Sequence, residues 1–354
     1  MGSIKSLEII KEPTENKLGV GIFNFSDKYS VFDWGQMPDD IDKKGTALAM
    51  MGAYSFDMIR DSSLYSHYIE MVDEKGKLVS PFGLLYSTLE NSSNRMKIQL
   101  TRKFPIDNNY AAYQKPGLDN YLLPLEIIFR NGLPKGSSVF RRIKEAKEKG
   151  DEQGLENILN NLGLTKEPKE GEFLPRPKCE FTTKFEEQDR HLSYEEALRI
   201  SGLDIEKFAD VLKYAAKANE VITERAKKVG LKHYDGKIEL MKYGGIMLVD
   251  VVGTFDEDRF SYDGVQVSKE ILRQWYAKTP WGQEVMAAKK KASEEGVQDW
   301  KSLVKSQPEK LPPELKTLVS QIYQAGANLY TESKIFDVPH LRELVSQVKE
   351  YVEV

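Results

Sequence analysis

Cysteine is almost missing from this 354-residue chain, with Cys179 its one representative. A lone thiol excludes an internal disulfide framework. Histidine is nearly as scarce: His67, His191, His233 and His340 stand far apart, without the spacing of zinc ligands. A zinc site is thereby disfavoured, while metal chemistry with oxygen ligands stays open. No apolar run reaches the length of a transmembrane helix. The opening MGSIKSLEIIKEP lacks the apolar core of a secretory signal. Gly2 and Ser6 match a loose myristoylation pattern, with nothing else to support a membrane anchor. Basic excess is absent too. Lys and Arg number 51 against 55 Asp and Glu, a net charge of −4, whereas a nucleic-acid-binding domain is usually basic. Repeats and low-complexity tracts are lacking. These absences argue against nucleic-acid and membrane partners and leave open a cytoplasmic protein with oxygen-ligand metal chemistry.

What is present divides along the chain. Gly19–Phe25, Met96–Arg102 and Leu125–Arg130 read as strands. Helical periodicity marks Leu48–Ile59. Residues 143–178 are charged and rich in Gly and Pro, and read as a short helix followed by an extended linker. Ser193 and Glu196 form a capping box. A long amphipathic helix follows from about Glu206 to Val229, with Gly230 suited to its stop. Later segments are helical, broken once at Pro312–Pro313. Strands early and helices late predict an α+β fold with antiparallel sheet in the first part. The final apolar stripe, Leu341, Leu344, Val345, Val348 and Val352, suits either the core or a second copy of the chain in a homodimer.

Two segments carry chemistry in their own right. In PLEIIFRNGLPKGSSVFRR, Pro124 to Arg142, a strand ends at Arg130 and meets a loop with Gly136 and Ser137. A strand-end guanidinium facing a Gly/Ser loop can grip a phosphate through charge-assisted bonds. A solvated helix start is the plainer alternative. In Lys237 to Asp250, two strand-like runs flank Gly244–Gly245. A two-residue turn there would pair Tyr243 with Ile246 and set Glu239 opposite Asp250, with Lys237 on the same face as Glu239. Opposed carboxylates repel unless a cation joins them, and two acids plus nucleotide phosphates suit Mg²⁺. A hairpin face screened by water is the alternative.

These segments and three others occur in the order found in phosphoribosylaminoimidazole-succinocarboxamide synthases, enzymes of purine biosynthesis. Ser26–Asp33 resembles their S-D-R-x-S-A-F-D, and Lys44–Gly45 the K-G that follows. Pro124–Ser137 resembles P-x-E-x-x-x-R-N with its Gly-Ser loop, and Thr182–Asp189 resembles T-T-K-x-E. Lys237-x-Glu239 with Asp250 resembles the metal strands, and Asp256–Phe260 resembles P-D-S-R-[FLW]. The likeness spans about Leu18 to Phe336, interrupted by an insertion near Ala277–Lys310. It implies an α+β fold of that family: an antiparallel-sheet part over residues 1–122, a larger α/β part over 123–354, and an ATP cleft between them. It implies Lys237 as the catalytic lysine, Glu239 and Asp250 as Mg²⁺ ligands, and Leu122, Glu126 and Lys184 at the nucleotide. Ser30, Asp33, Arg130, Ser137 and Arg259 would hold the ribotide substrate. The implied reaction is ATP-dependent ligation of aspartate to carboxyaminoimidazole ribotide through an acyl phosphate.

Two departures stand beside the likeness. The family's opening Gly-rich phosphate hairpin corresponds here to Glu8–Lys17, which has no glycine and carries Pro13. This predicts that the usual phosphate-covering hairpin does not form, with Lys11 or Lys17 as the substitutes to test. The acid that usually follows the metal-strand Asp is Val251. A paralogous amide ligase for another carboxylate, and a non-catalytic ribotide- or nucleotide-binding protein, are the competing readings.

Overall fold

The computed structural model describes residues 5–79, 92–107, 109–186, 189–297 and 299–352. Gly2, and Glu187 and Gln188 of the T-T-K-x-E segment, lie outside them. Period-two apolar patterning in the first hundred residues builds one antiparallel sheet. Its strands are β1 (Lys5–Lys11), β2 (Gly19–Phe25), β3 (Tyr68–Val72), β4 (Leu78–Val79) and β5 (Arg95–Leu100), in the order β1-β2-β5-β3-β4. Helix α1 (Lys44–Asp61) lies between β2 and β3 in sequence and buries Leu48, Met51, Phe56 and Ile59. Asp27 accounts for the Ser-Asp-Lys segment upstream. Its carboxylate accepts the Lys43 and Gly45 N–H groups at 3.1 and 2.9 Å, satisfying free donors at the helix start.

The second sheet comprises β6 (Tyr121–Leu122), β7 (Leu125–Leu133), β8 (Glu172–Thr183), β9 (His191–Leu192), β10 (Lys232–Tyr243), β11 (Gly245–Val249), β12 (Asp258–Tyr262) and β13 (Val265–Gln266). Its path runs β13-β12-β10-β7-β8-β9, and β6 and β11 both pair with β10. Strand β10 changes partners midway. Residues 235–238 pair with β7, while 239–243 pair with β11. The sheet therefore splays beside Lys237 and Glu239. The two sheets are stitched by backbone bonds, His67 N–H to Leu248 C=O at 2.8 Å and Leu122 N–H to Arg102 C=O at 2.9 Å.

The region expected to be a linker departs from that reading. Helices α2 (Ser138–Glu148) and α3 (Glu152–Leu162) close a small core of Leu133, Val139, Ile143, Leu162 and Leu174. Residues 172–183 then form β8 against β7. Pro175 and Pro177 are tolerated because the ladder jumps from Arg130↔Lys178 to Gly132↔Phe173, so neither proline owes it a donor.

Helix α4 (Tyr194–Ser201) starts at Ser193, whose hydroxyl accepts the Glu196 N–H at 3.1 Å. Helix α5 (Ile205–Lys228) matches its expected span and buries Phe208, Val211, Ala215, Ala218, Ile222 and Ala226. Helices α6 (Glu270–Ala277) and α7 (Pro280–Glu295) precede α8 (Pro313–Thr331) and α9 (Leu341–Val348). The Pro312–Pro313 break is the start of α8, with Pro313 in the first turn, where its missing donor costs nothing. Helix α9 packs on α8 and buries Leu341, Leu344, Val345 and Val348 in the main core. Its apolar stripe thus faces the chain's own core. Leu344→Ala should lower unfolding free energy by about 2–5 kcal/mol, measured by urea denaturation. A loss below about 1 kcal/mol would show a loosely seated helix.

Candidate active site

The β10–β11 hairpin forms, but with another register. Tyr243 pairs with Gly245 around Gly244, so Glu239 lies opposite Val249 and not Asp250. A slip of one residue turns every side chain to the other face. Asp250, just past the strand, takes a left-handed φ of 65°, which Asp tolerates better than most residues. The turn returns its carboxylate to the side of Glu239. His67 fixes this conformation: its Nε2 lies 2.8 Å from the Asp250 carbonyl and donates to it.

Glu239 and Asp250 line a cavity of about 560 Å³ between the sheets. Leu122, Glu126, Lys184 and Lys237, also expected at the site, lie on its wall. Its lining mixes apolar side chains, Leu7, Phe25, Ile98 and Phe185 among them, with the charged ones. Lys184 is ion-paired with Glu239, and Lys5 with Asp250. Lys237 Nζ lies 2.7 Å from Glu126 and 3.7 Å from Glu257. Burial and the charge of Asp250 push the Glu239 carboxyl up to about 7, against the pull of Lys184 and Lys237. Burial opposes ionisation of Asp250 too, but Lys5 overrides it and holds that carboxyl well below the usual range. Burial also works against Lys237, and Glu257, Glu126 and Glu239 more than restore its charge.

Lys5 and Glu257 line the cavity without having been expected there. The Glu8–Lys17 segment, expected not to form the usual phosphate-covering hairpin, lies in a β-hairpin: β1 reaches Lys11 with a register irregularity between Ile9 and Lys11, Pro13 falls in the loop, and β1 pairs with β2. The loop is fixed by Asn120, whose Nδ2 donates to Thr14 C=O at 2.6 Å and to Lys17 C=O at 2.9 Å. Lys11 and Lys17 are exposed and lie off the cavity wall, whereas Lys5 and Leu7, two apart on one strand face, reach it. That period-two pattern is the signal in the sequence, but it starts before the segment first compared.

The expected ribotide ligands lie off this cavity, each engaged within the protein. Arg130 is 1% exposed and donates to Glu180 at 2.8 Å, Asp235 at 2.9 Å and Ser137 at 3.2 Å. Arg259 is paired with the same Asp235 through Nε at 2.7 Å and through Nη2. Ser137 caps α2. Ser30 Oγ accepts the Gly35 N–H at 3.3 Å, and Asp33 pairs with Lys289 of α7 at 2.7 Å. Lys44 proves structural: it is fully buried, 2.6 Å from Asp256, whose other oxygen accepts the Tyr323 hydroxyl at 2.8 Å.

Among the described residues no three His, Cys, Asp or Glu side chains converge as a ready metal cage. Two buried carboxylates with hard oxygens, each neutralised by a displaceable lysine, fit an ion that takes its remaining ligands from phosphate and water. No helix among the described residues is long and apolar enough to cross a membrane.

A cleft that combines apolar side chains with lysines and paired acids has the makings of an ATP-dependent ligase. Comparison with known proteins agrees. The SAICAR synthetase family profile matches residues 13–288. A protein of Archaeoglobus fulgidus, provisionally assigned as a phosphoribosylaminoimidazole-succinocarboxamide synthase, is 42% identical over 355 residues and the match covers 100% of both chains. The phosphoribosylaminoimidazole-succinocarboxamide synthase of Thermoplasma volcanium is 35% identical over 264 residues, 72% of this chain and 77% of that protein. In fold, the chain is similar to a SAICAR synthetase in complex with ADP, with a TM-score of 0.54 and 19% identity over 88% of this chain and 99% of the other. It is also similar to the Saccharomyces cerevisiae SAICAR synthase complexed with SAICAR, with a TM-score of 0.58 and 18% identity over 94% and 97%. The chain belongs to the SAICAR synthetase family. It is a carbon–nitrogen ligase of purine biosynthesis.

His67 provides a pH test of the site's framework. Burial lowers its pKa from 6.5 to about 4, so the fold favours the neutral ring. The unfolded chain then binds more protons between those values. This contribution is fully present above pH 6.5 and is lost as pH falls towards 4. Melting temperature should therefore fall more steeply across that window in the wild type than in His67→Gln, where parallel curves would contradict the assignment.

Proposed function

We propose that the cleft binds ATP and carboxyaminoimidazole ribotide and joins the ribotide carboxylate to aspartate. The carrying observation is the cavity itself, whose wall combines apolar side chains with Lys5, Lys184, Lys237, Glu239 and Asp250. The adenine packs beside Leu122, Glu126 and Phe185. Glu239 and Asp250 would hold Mg²⁺ with the phosphates, and that ion would supply charge neutralisation during phosphoryl transfer. Lys5 and Lys184, released from their carboxylates, turn to phosphate oxygens. Lys237 holds the ribotide carboxylate, whose oxygen takes the γ-phosphoryl group. The aspartate amine then displaces phosphate from the acyl phosphate.

The ribotide phosphate is assigned to Arg259 and Ser137, with Arg130 bonded to Ser137, and Ser30 and Asp33 are assigned to the rest of the ribotide. Arg259 is the more open guanidinium, at 22% side-chain exposure against 1% for Arg130. Direct contact therefore falls to Arg259, while Arg130 orients Ser137 and Asp235. In this reading the boundary between the two parts lies near residue 122, and the enzyme works in the cytoplasm.

The decisive experiment measures ADP release with ATP, Mg²⁺, ribotide and aspartate, each omitted in turn. Release that needs all four supports the reading. Release with another carboxylate in place of the ribotide would favour the paralogue. ATP binding without turnover of any carboxylate would favour a non-catalytic protein. Within the active enzyme, Lys5→Ala should raise KM for ATP at least tenfold and Lys11→Ala less than twofold, measured by initial rates. Glu239→Gln or Asp250→Asn should lower kcat by about 10²-fold or more and also lower melting temperature, because each leaves a lysine without its buried partner.

A further inference from the structure

The reaction above leaves one chemical need unassigned. Aspartate arrives with its amine as ammonium, which has no lone pair to attack an acyl phosphate. A base must stand beside the carboxylate held by Lys237. Five carboxylates line the cavity. Glu239, Asp250 and Asp256 are committed to Lys184, Lys5 and Lys44, and Glu126 to a 2.7 Å bond with Lys237. Glu257 is the remaining one. It lies on the cavity wall, 3.7 Å from Lys237 Nζ, with 19% side-chain exposure. Among the described residues its carboxylate has no closer ionic partner.

The local backbone gives Glu257 a fixed position. Its N–H donates to Thr254 Oγ1 at 3.3 Å, and the Asp258 N–H donates to Thr254 C=O at 2.9 Å. Asp258 in turn accepts the Gly253 N–H at 2.7 Å and lies 3.0 Å from His233. The preceding residue, Asp256, is anchored by Lys44 and Tyr323. Both flanks of Glu257 are thus pinned, while its own carboxylate lies on the cavity wall beside Lys237.

We infer that Glu257 is the general base of the amide-forming step, an inference that rests on the ligase reading above. Its carboxylate takes one proton from the aspartate ammonium. The freed nitrogen pair forms the C–N bond at the acyl carbon. The C–O bond to phosphate breaks, its electron pair leaves with the phosphate oxygen, and the second nitrogen proton goes to the departing phosphate. Glu257 then returns its proton to solvent. ATP supplies the phosphoryl group, and no oxidant or reductant is needed.

The test compares wild type with Glu257→Gln using two nucleophiles, aspartate and hydroxylamine, which is largely unprotonated at neutral pH and needs no base. Glu257→Gln should lose about 10²-fold or more in aspartate ligation while ribotide- and ATP-dependent hydroxamate formation stays within about threefold. The residual aspartate rate of the variant should climb about tenfold per pH unit above neutrality, because only free amine reacts, whereas the wild type levels off. Glu257→Asp should restore part of the rate and the wild-type profile. Equal loss with both nucleophiles, an unchanged aspartate rate, or a pH profile parallel to the wild type would each overturn the assignment. Wild-type protein that releases no ADP with either nucleophile would instead refute the ligase reading beneath it.

Discussion

Everything at the cleft depends on two buried carboxylates kept in balance by lysines from other parts of the chain. Glu239 belongs to β10 and Asp250 to the turn after β11, yet Lys184 comes from the end of β8 and Lys5 from the first strand of the other sheet. An isolated charge at such depth is costly, and removing one partner of a buried pair typically costs about 3–5 kcal/mol. The acids therefore bind the two sheets as well as any cation. The same arrangement supplies a reason for function: a metal ion and phosphates bring their own charges, so each acid can exchange its lysine for the ion while the lysine turns to phosphate. Each buried acid thereby keeps a cation beside it throughout the exchange, which spares the site the penalty of a bare buried ion.

A second ionic layer supports the first. Asp235 joins Arg130 and Arg259, Glu180 joins Arg130 and Arg142, and Asp256 joins Lys44. Asp256 itself lies on the cavity wall, while Arg130, Arg259, Asp235 and Glu180 lie off it. Strand β10 carries Asp235, Lys237 and Glu239 at alternate positions, so one strand face feeds both layers. Its change of partners at 238–239 opens the sheet there.

Much of this was legible in the sequence, for physical reasons. The stripe from Phe208 to Ala226 has a helix period and buries one face, and Ser193 caps where its hydroxyl can reach a free N–H. The antiparallel α+β character and six cavity residues were likewise in reach. Other features depend on choices that local sequence does not determine. Gly244–Gly245 permits more than one turn, and the register follows from how β10 pairs with β6 and β7. The site survives because Asp250 turns left-handed under His67. Pro175 and Pro177 argued against a strand, yet the bulge opposite Asn131 accommodates them. The partners of Arg130 lie 50 and 105 residues away, so its burial is a tertiary fact. Lys5 was hidden because the familiar glycine-rich pattern is absent.

The most direct measurement of the central claim is a crystal structure with Mn²⁺ and a non-hydrolysable ATP analogue, the ion located by its anomalous signal. One ion should be held jointly by Glu239, Asp250 and phosphate oxygens, with Lys5 and Lys184 moved from the acids to the phosphates. An ion bound by the nucleotide alone, with the Lys5–Asp250 and Lys184–Glu239 pairs intact, would contradict that claim.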